Sequence, residues 1–324
     1  MRSWQTFSIP KAAFWLSLTA LTVLAAALSL GLGSVSLGDV PEAAMRIFLY
    51  IRLPRTCAAL LAGAALAVAG AVIQTVLHNP LASPGILGVN SGAGLAVAVV
   101  CAIVPAAQRY TPAIAFAGSL VAVMMVVTLA QCTGASRMTV VLAGVAISNI
   151  FSAGIDAVVT FVPEALGGVS DYRIGGFSGV TMERIIPAAV MIAASLLVLL
   201  TMIRQMDVLA LGSETAQSLG LSVGAVRFVL LVLAAALSGA AVSFAGLLGF
   251  VGLIVPHAMR RFVGEESGPL LIASALGGAG FVTICDLLAR VLFAPFELPV
   301  GVVLAFAGGP FFLWLLFRQR GVRV

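Results

Sequence analysis

Long apolar runs separated by short polar breaks make up nearly the whole chain, and within the runs apolar and polar residues do not alternate. Each run approaches the roughly 20 residues that a membrane-spanning helix needs. The pattern predicts a first helix at about Phe14–Leu37 and a second from Arg52-Leu-Pro-Arg55 to about Leu77. The third to fifth are predicted at about Ser91–Ala107, Ala113–Cys132 and Thr139–Val162. The sixth to tenth are predicted at about Glu183–Ile203, Val223–Ala245, Val251–Val263, Leu270–Phe293 and Val300–Phe317. Asp39-Val-Pro-Glu42 opens a short amphipathic piece ending near Tyr50. Residues His78–Gly85 hold Pro80 and Pro84, which remove backbone donors and bias the preceding residues away from helix. Pro163–Thr181 and Gln205–Ser222 read as polar loops, and a basic tail, Arg318–Arg323, closes the chain.

This is the pattern of an all-α polytopic membrane protein: one transmembrane permease domain over residues 1–324, with about ten transmembrane helices. Composition agrees. The chain is 61% hydrophobic and 9% charged, whereas soluble domains carry about 25% charge. Barrel strands would alternate apolar and polar over about 10 residues, which these runs do not. The net charge of +5 comes from scattered arginines, with Lys11 the only lysine, and gives no reason to expect nucleic acid. Cys57, Cys101, Cys132 and Cys285 form no CxxC pair and read as core residues. The long apolar stretch after Lys11 reads as a first helix rather than a cleaved signal.

An even number of crossings puts both termini on one side. Arg2, Lys11, Arg137, Arg204, Arg227, Arg260, Arg261 and the tail arginines would then face inward. Arg46, Arg52, Arg55, Arg109, Arg173, Arg184 and Arg290 would face outward, so the positive-inside rule favours cytoplasmic termini. The Gln205–Ser222 loop then lies in the cytosol. An ungapped match sets Gly63–Gly70 on Gly239–Gly246 and Pro80 on Pro256. The second helix runs inward and the seventh outward, so helices 2–5 and 7–10 are expected to form an inverted repeat. Gly63 and Gly70 bare one helix face for close packing, and with Asn79, Pro80, Pro256 and His257 they are candidate path-lining or helix-breaking residues.

No catalytic set is visible, and His78 and His257 without a carboxylate pair make a poor metal site. Asp156 and Asp286 are acids at membrane depth, where charge is costly. Asp286 and Arg290 stand four apart on one helix and can pair. A GxxxxGK[ST] loop is absent, because Lys11 is the only lysine. Any ATP therefore binds elsewhere. Met206–Leu211 reads as a short apolar helical turn ended by Gly212. Ser213 can cap a second short helix, with Glu214 at its positive end, and Leu219-Gly220 ends it. Together these form a rigid knob that leaves Leu209, Leu211 and Leu219 exposed to the cytosol.

From Arg52 to Arg318 the chain resembles the FecCD family of ABC importer permeases for ferric siderophores, haem and vitamin B12. The resemblance rests on Arg52-Leu-Pro-Arg55, Gln74 with His78-Asn-Pro-Leu-Ala-Ser-Pro-Gly85 and Asn90-Ser-Gly-Ala93, and Leu209-Ala-Leu-Gly212 with Ala216 and Leu219-Gly220. Gly249–His257 with Arg260, Asp286–Arg290 and Glu297-Leu-Pro-Val-Gly301 complete it. The resemblance implies a multi-pass protein of the bacterial inner membrane that works as a homodimer or paired permease surrounded by membrane lipid. It implies two ATP-binding subunits that carry ATP and Mg2+, no cofactor on this chain, and an extracytoplasmic substrate-binding protein. Met206–Gly220 would be the coupling element, with Ala216 within it. Arg52, Arg55 and Arg290 would dock the binding protein as exposed charges. Helices 2, 5 and 10 are expected to line the path of an iron chelate, with a ferric siderophore first in line and haem or cobalamin next. The rival from another class is a proton-coupled secondary carrier, which would need a protonatable residue deep in its path.

Overall fold

A computed structural model describes residues 11–32, 45–104, 110–132, 137–292, 294 and 296–320, and every regular element among them is helical. The amphipathic piece after Asp39, the turn at Gln108-Arg109, most of the loop before Arg137 and the last tail residues lie outside the described residues. The chain opens with α1 (Lys11–Gly31). A π-helical turn, Phe48–Arg52, leads into α2 (Leu53–Leu77), whose Pro54 sits in the first turn, where no helical donor is lost. His78 closes α2 in the left-handed region at φ 48°, and the Asn79 carboxamide oxygen accepts from the Leu81 amide at 2.9 Å to shape the following turn.

A 3-10 turn at Pro84–Leu87 leads to α3 (Val89–Ile103), α4 (Thr111–Cys132) and α5 (Arg137–Phe161). Then come α6 (Leu166–Ile174), α7 (Met182–Thr201), α8 (Ile203–Ala210) and α9 (Ser213–Ser218). The last four are α10 (Val223–Ala245), α11 (Val251–Val263), α12 (Ser267–Val291) and α13 (Val300–Arg320). The predicted bounds of α10 and α11 coincide with the observed ones. Among the described residues seven helices are long and apolar enough to cross a membrane, and α3 and Val300–Leu313 are shorter apolar helices.

Two expectations change. Pro163–Thr181 is not simply a loop, because it contains α6. That helix has nine residues and a mixed sequence, so no long apolar run announces it. It is held by burial of Tyr172 and Phe177 and by backbone bonds from Leu247 to Tyr172 (3.0 Å) and from Gly176 to Ala245 (2.8 Å). Pro256 and His257 do not break a helix either, since Pro256 lies inside α11.

Burial divides the helices into a centre and a surround. In α2 and α10, 78% of the apolar span is buried, against 22–33% in α1, α4, α5 and α7. Apolarity on all sides suits lipid and interior alike, so it does not by itself choose the centre. α2 packs on α10, α11 and α12, α10 packs on α4 and α7, and α1 lies outside against α12. Glycines set the closest contacts. A Cβ on Gly63 would stand 2.1 Å from the Gly278 carbonyl oxygen of α12, and one on Gly70 would stand 1.9 Å from that of Gly252 in α11. Gly63 and Gly70 therefore serve packing within the chain, and the expectation that they line a path is corrected.

Gly63→Val is expected to force α2 and α12 apart and destabilise the purified protein by about 1–3 kcal/mol or more. Gly224→Ala, where a Cβ meets nothing within 4 Å, should leave the thermal unfolding midpoint in detergent unchanged or slightly higher. Equal midpoints for the two variants would overturn the packing role.

Candidate functional site: two polar clusters and an exposed knob

Two polar clusters sit at opposite ends of α2, the first of them also near the end of α12. Arg55 and Gln74 lie 19 residues apart on α2, as do Ser267 and Asp286 on α12. At 1.5 Å per residue each separation is about 28 Å, close to the roughly 30 Å hydrocarbon thickness of a bilayer.

The first cluster gathers Arg52, Arg55, Asp286, Arg290 and Glu297. Arg55 Nε donates to both Asp286 oxygens at 3.1 and 3.2 Å, and its Nη1 donates to Glu297 Oε2 at 2.6 Å. Arg290 Nε lies 3.2 Å from Asp286 Oδ2, an ionic contact without hydrogen-bond alignment. This is the predicted i,i+4 pair. Arg290 Nη2 also donates to Ser29 Oγ at 2.6 Å, and that hydroxyl lies 2.7 Å from Thr56 Oγ1. Arg52 Nη1 donates to the Leu30 and Gly31 carbonyls at 3.1 and 2.6 Å. The last carbonyls of a helix lack intrahelical donors and carry partial negative charge. Arg52 and Arg290 supply both needs at the end of α1.

These arginines are only 4%, 6% and 3% exposed at Arg52, Arg55 and Arg290. The expectation that they stand out as exposed docking charges is corrected: they tie α1, α2 and α12 together. A docking carboxylate would have to displace these internal partners first.

The second cluster joins α2 to α11. Gln74 Nε2 donates to the Gly252 carbonyl at 3.1 Å, and its Oε1 accepts from Arg260 Nη1. Arg260 Nε also meets Glu265 Oε2 at 3.2 Å. His257 lies beside this cluster on α11, with its ring edge-on to Phe311 of α13 at 6.1 Å between centroids. Among the described residues, no three His, Cys, Asp or Glu side chains converge as metal ligands do.

The knob is α8 and α9. Gly212 at φ 112° and Gly220 at φ 83° make its two bends, in a region that side chains strain to enter. Asp207 Oδ1 accepts from the Ser267 amide at 2.8 Å, which caps the start of α12 and fixes the knob to it. Ser213 is not the cap that its sequence position predicts. It is the first helical residue of α9, and its Oγ accepts from Arg227 Nη2 at 3.1 Å. Glu214 lies in the first turn, as expected, and is exposed.

The other predicted residues divide by phase. Met206, Leu209 and Ala216 are buried, so the expected exposure of Leu209 is corrected. Leu211 and Leu219 are 63% and 62% exposed. The inward residues shape the knob, and the outward pair is available to a partner.

Sequence reasoning missed Glu297, Asp207, Ser29 and Arg227 as partners. It quoted Gln74 without giving it a role, although an amide within an apolar helix is itself a signal.

Asp286→Ala would leave two buried guanidinium groups without their shared carboxylate, and loss of one member of such a pair costs about 3–5 kcal/mol. The expected result is a clear drop in the unfolding midpoint of the purified protein on its own. An unchanged midpoint would return these residues to a purely external role.

The comparisons with known proteins cover most of the chain. A model described as the FecCD transport family matches residues 14–318. The chain is 38% identical over 304 residues to the hemin transport system permease protein HmuU of Yersinia pestis, covering 92% of this chain and 91% of that one. It is 39% identical over 275 residues to the Fe(3+) dicitrate transport system permease protein FecD of Escherichia coli, covering 85% and 86%. A solved structure described as an inward-facing ABC transporter of proposed metal-chelate type superposes with a TM-score of 0.84 at 27% identity, over 95% of this chain and 99% of that one.

Proposed function

The chain belongs to the FecCD transport family, and we propose that it works as one of two paired permease subunits driven by separate ATP-binding subunits at the α8–α9 knob. It is the membrane permease component of an ABC-type iron-chelate importer. The proton-coupled carrier considered from sequence gives way to this assignment. The observation that carries the coupling role is the knob itself. Its buried face is fastened by Asp207 and Arg227, while Leu211 and Leu219 point outward. A fixed body with exposed leucines suits transmission of force, which a mobile loop would absorb.

The reading extends to the membrane. Ten crossings with both termini in the cytosol put the knob and the Gln74 cluster inside and the arginine network outside. The inverted repeat has support in the helix packing. α2 packs on α11 and α12, and α10 packs on α3 and α4, the exchange that a two-fold relation between halves requires. At the corresponding crossings Gly63 meets Gly278 and Gly239 meets Ser119.

The path lies between two copies. Buried α2 cannot line it, so the expectation for that helix is dropped. α5 suits the role because Asn149, Asp156 and Thr160 are exposed on it at helical spacing. Asp156 also lies 3.8 Å from Arg173 of α6. Charge against lipid is costly, which favours water or a second copy on this face. An extracytoplasmic binding protein delivers the cargo. The names of the relatives point to hemin and ferric dicitrate, and a ferric siderophore is the cargo we place first.

Leu211→Asp together with Leu219→Asp is expected to leave the permease folded and to abolish co-purification of the ATP-binding subunit. Retained co-purification would remove the knob from the motor contact. With the cognate binding protein, uptake of labelled ferric siderophore should exceed that of haem and cobalamin, and the reverse order would overturn the substrate choice. Asp156→Cys should react with a membrane-impermeant thiol reagent while Val190→Cys, on exposed α7, does not. Equal labelling would exclude α5 from the path.

A further inference from the structure

Proline at position 256 costs α11 one helical hydrogen bond. The donor missing from Pro256 would have served the carbonyl four residues back, at Gly252. Both residues are buried, and an unsatisfied carbonyl away from water is expensive. The structure supplies the donor from another helix: Gln74 Nε2, 3.1 Å from the Gly252 oxygen.

The geometry leaves little freedom at this point. Gly70 lies one turn before Gln74 on the same face of α2, and its Cα side faces the Gly252 backbone so closely that a Cβ would stand 1.9 Å from that oxygen. A Cβ on Gly252 would in turn meet the Leu66 carbonyl oxygen at 2.7 Å and Pro84 Cδ at 3.0 Å. Gln74 is 2% exposed. Its other amide atom accepts from Arg260, two turns further along α11, so one side chain grips α11 at two levels.

The grip stands next to the knob. α11 ends at Val263, and α12 begins at Ser267, whose amide donates to Asp207 of α8. Resting on the coupling role assigned above, we propose that Gln74 is a positioning residue: it donates to the carbonyl freed by Pro256 and so transmits displacement of the knob, through α11, into buried α2. Gln74 and Pro256 then act as one unit. Without the proline, the amide at position 256 would serve Gly252 itself.

That unity gives a test with a chemical signature. Gln74→Leu removes the donor. Gln74→Glu keeps an acceptor for Arg260 but not the donor. In the assembled transporter, both are expected to lower uptake per ATP hydrolysed about tenfold while the ATP-binding subunit still co-purifies. Pro256→Ala restores a local donor to Gly252, so Gln74→Leu/Pro256→Ala should recover the unfolding midpoint of the permease while uptake per ATP stays about tenfold low, because the link from α11 to α2 is still missing. A purely structural role would lower the yield of transporter without moving uptake per ATP. Normal coupling in Gln74→Glu, or uptake per ATP restored in the double variant, would overturn the proposal. The same four-corner comparison of unfolding midpoints in the isolated permease reads the bridge without any partner. Retained co-purification of the ATP-binding subunit in Leu211→Asp/Leu219→Asp marks failure of the knob reading, whereas purely additive midpoints in the four-corner comparison mark failure of the bridge itself.

Discussion

The approach of α12 and α11 to the backbone of α2 is the contact on which the rest of the molecule depends. In a bilayer the lipid tails are as apolar as leucine, so helices gain little by merely leaving them, and close packing must supply the association. Gly63 against Gly278 and Gly70 against Gly252 remove the side chains that would hold the helices apart. α2 thereby becomes interior, with α10 beside it. A helix in that position faces mostly its own neighbours. It can connect the two ends of the molecule.

The two ends are connected differently. At one end, three guanidinium groups meet two carboxylates and the carbonyls that finish α1. Buried charges are tolerated there because each finds opposite charge or a helix end. At the other end the central link is a neutral amide across a glycine contact and a proline-freed carbonyl. The charged network resists displacement because any movement strands a buried ion. The amide link loses less when it shifts, and it lies beside the knob that carries the exposed leucines.

Much of this was legible in the residues. The bounds of α10 and α11 follow from apolar runs between Ser222, Gly246 and Gly264. Gly63 and Gly70 announced a bare helix face. The pairing of Asp286 with Arg290 followed from their spacing. α6 was hidden because its stability comes from the burial of Tyr172 and Phe177 against distant segments, not from its own sequence. The three arginines were misread as exposed because charge reveals a preference for partners and not where those partners lie. Glu297 and the end of α1, far away in the chain, supplied them. In the knob, the short helices did not disclose their phase, since which leucines face inward depends on where α2 and α12 stand.

Local chemistry by itself determined that this chain spans a membrane as helices, that it carries no nucleotide-binding loop, and that a compact knob interrupts its second half. Apolar length, residue type and spacing are properties of a segment, so the sequence could carry them. Only the tertiary structure decided which helix is central, which charges are buried and which glutamine answers which proline. Those outcomes depend on atoms from segments up to 261 residues apart, as between Ser29 and Arg290. Nothing local in the chain fixes their distance; the packing of α1, α2 and α12 does.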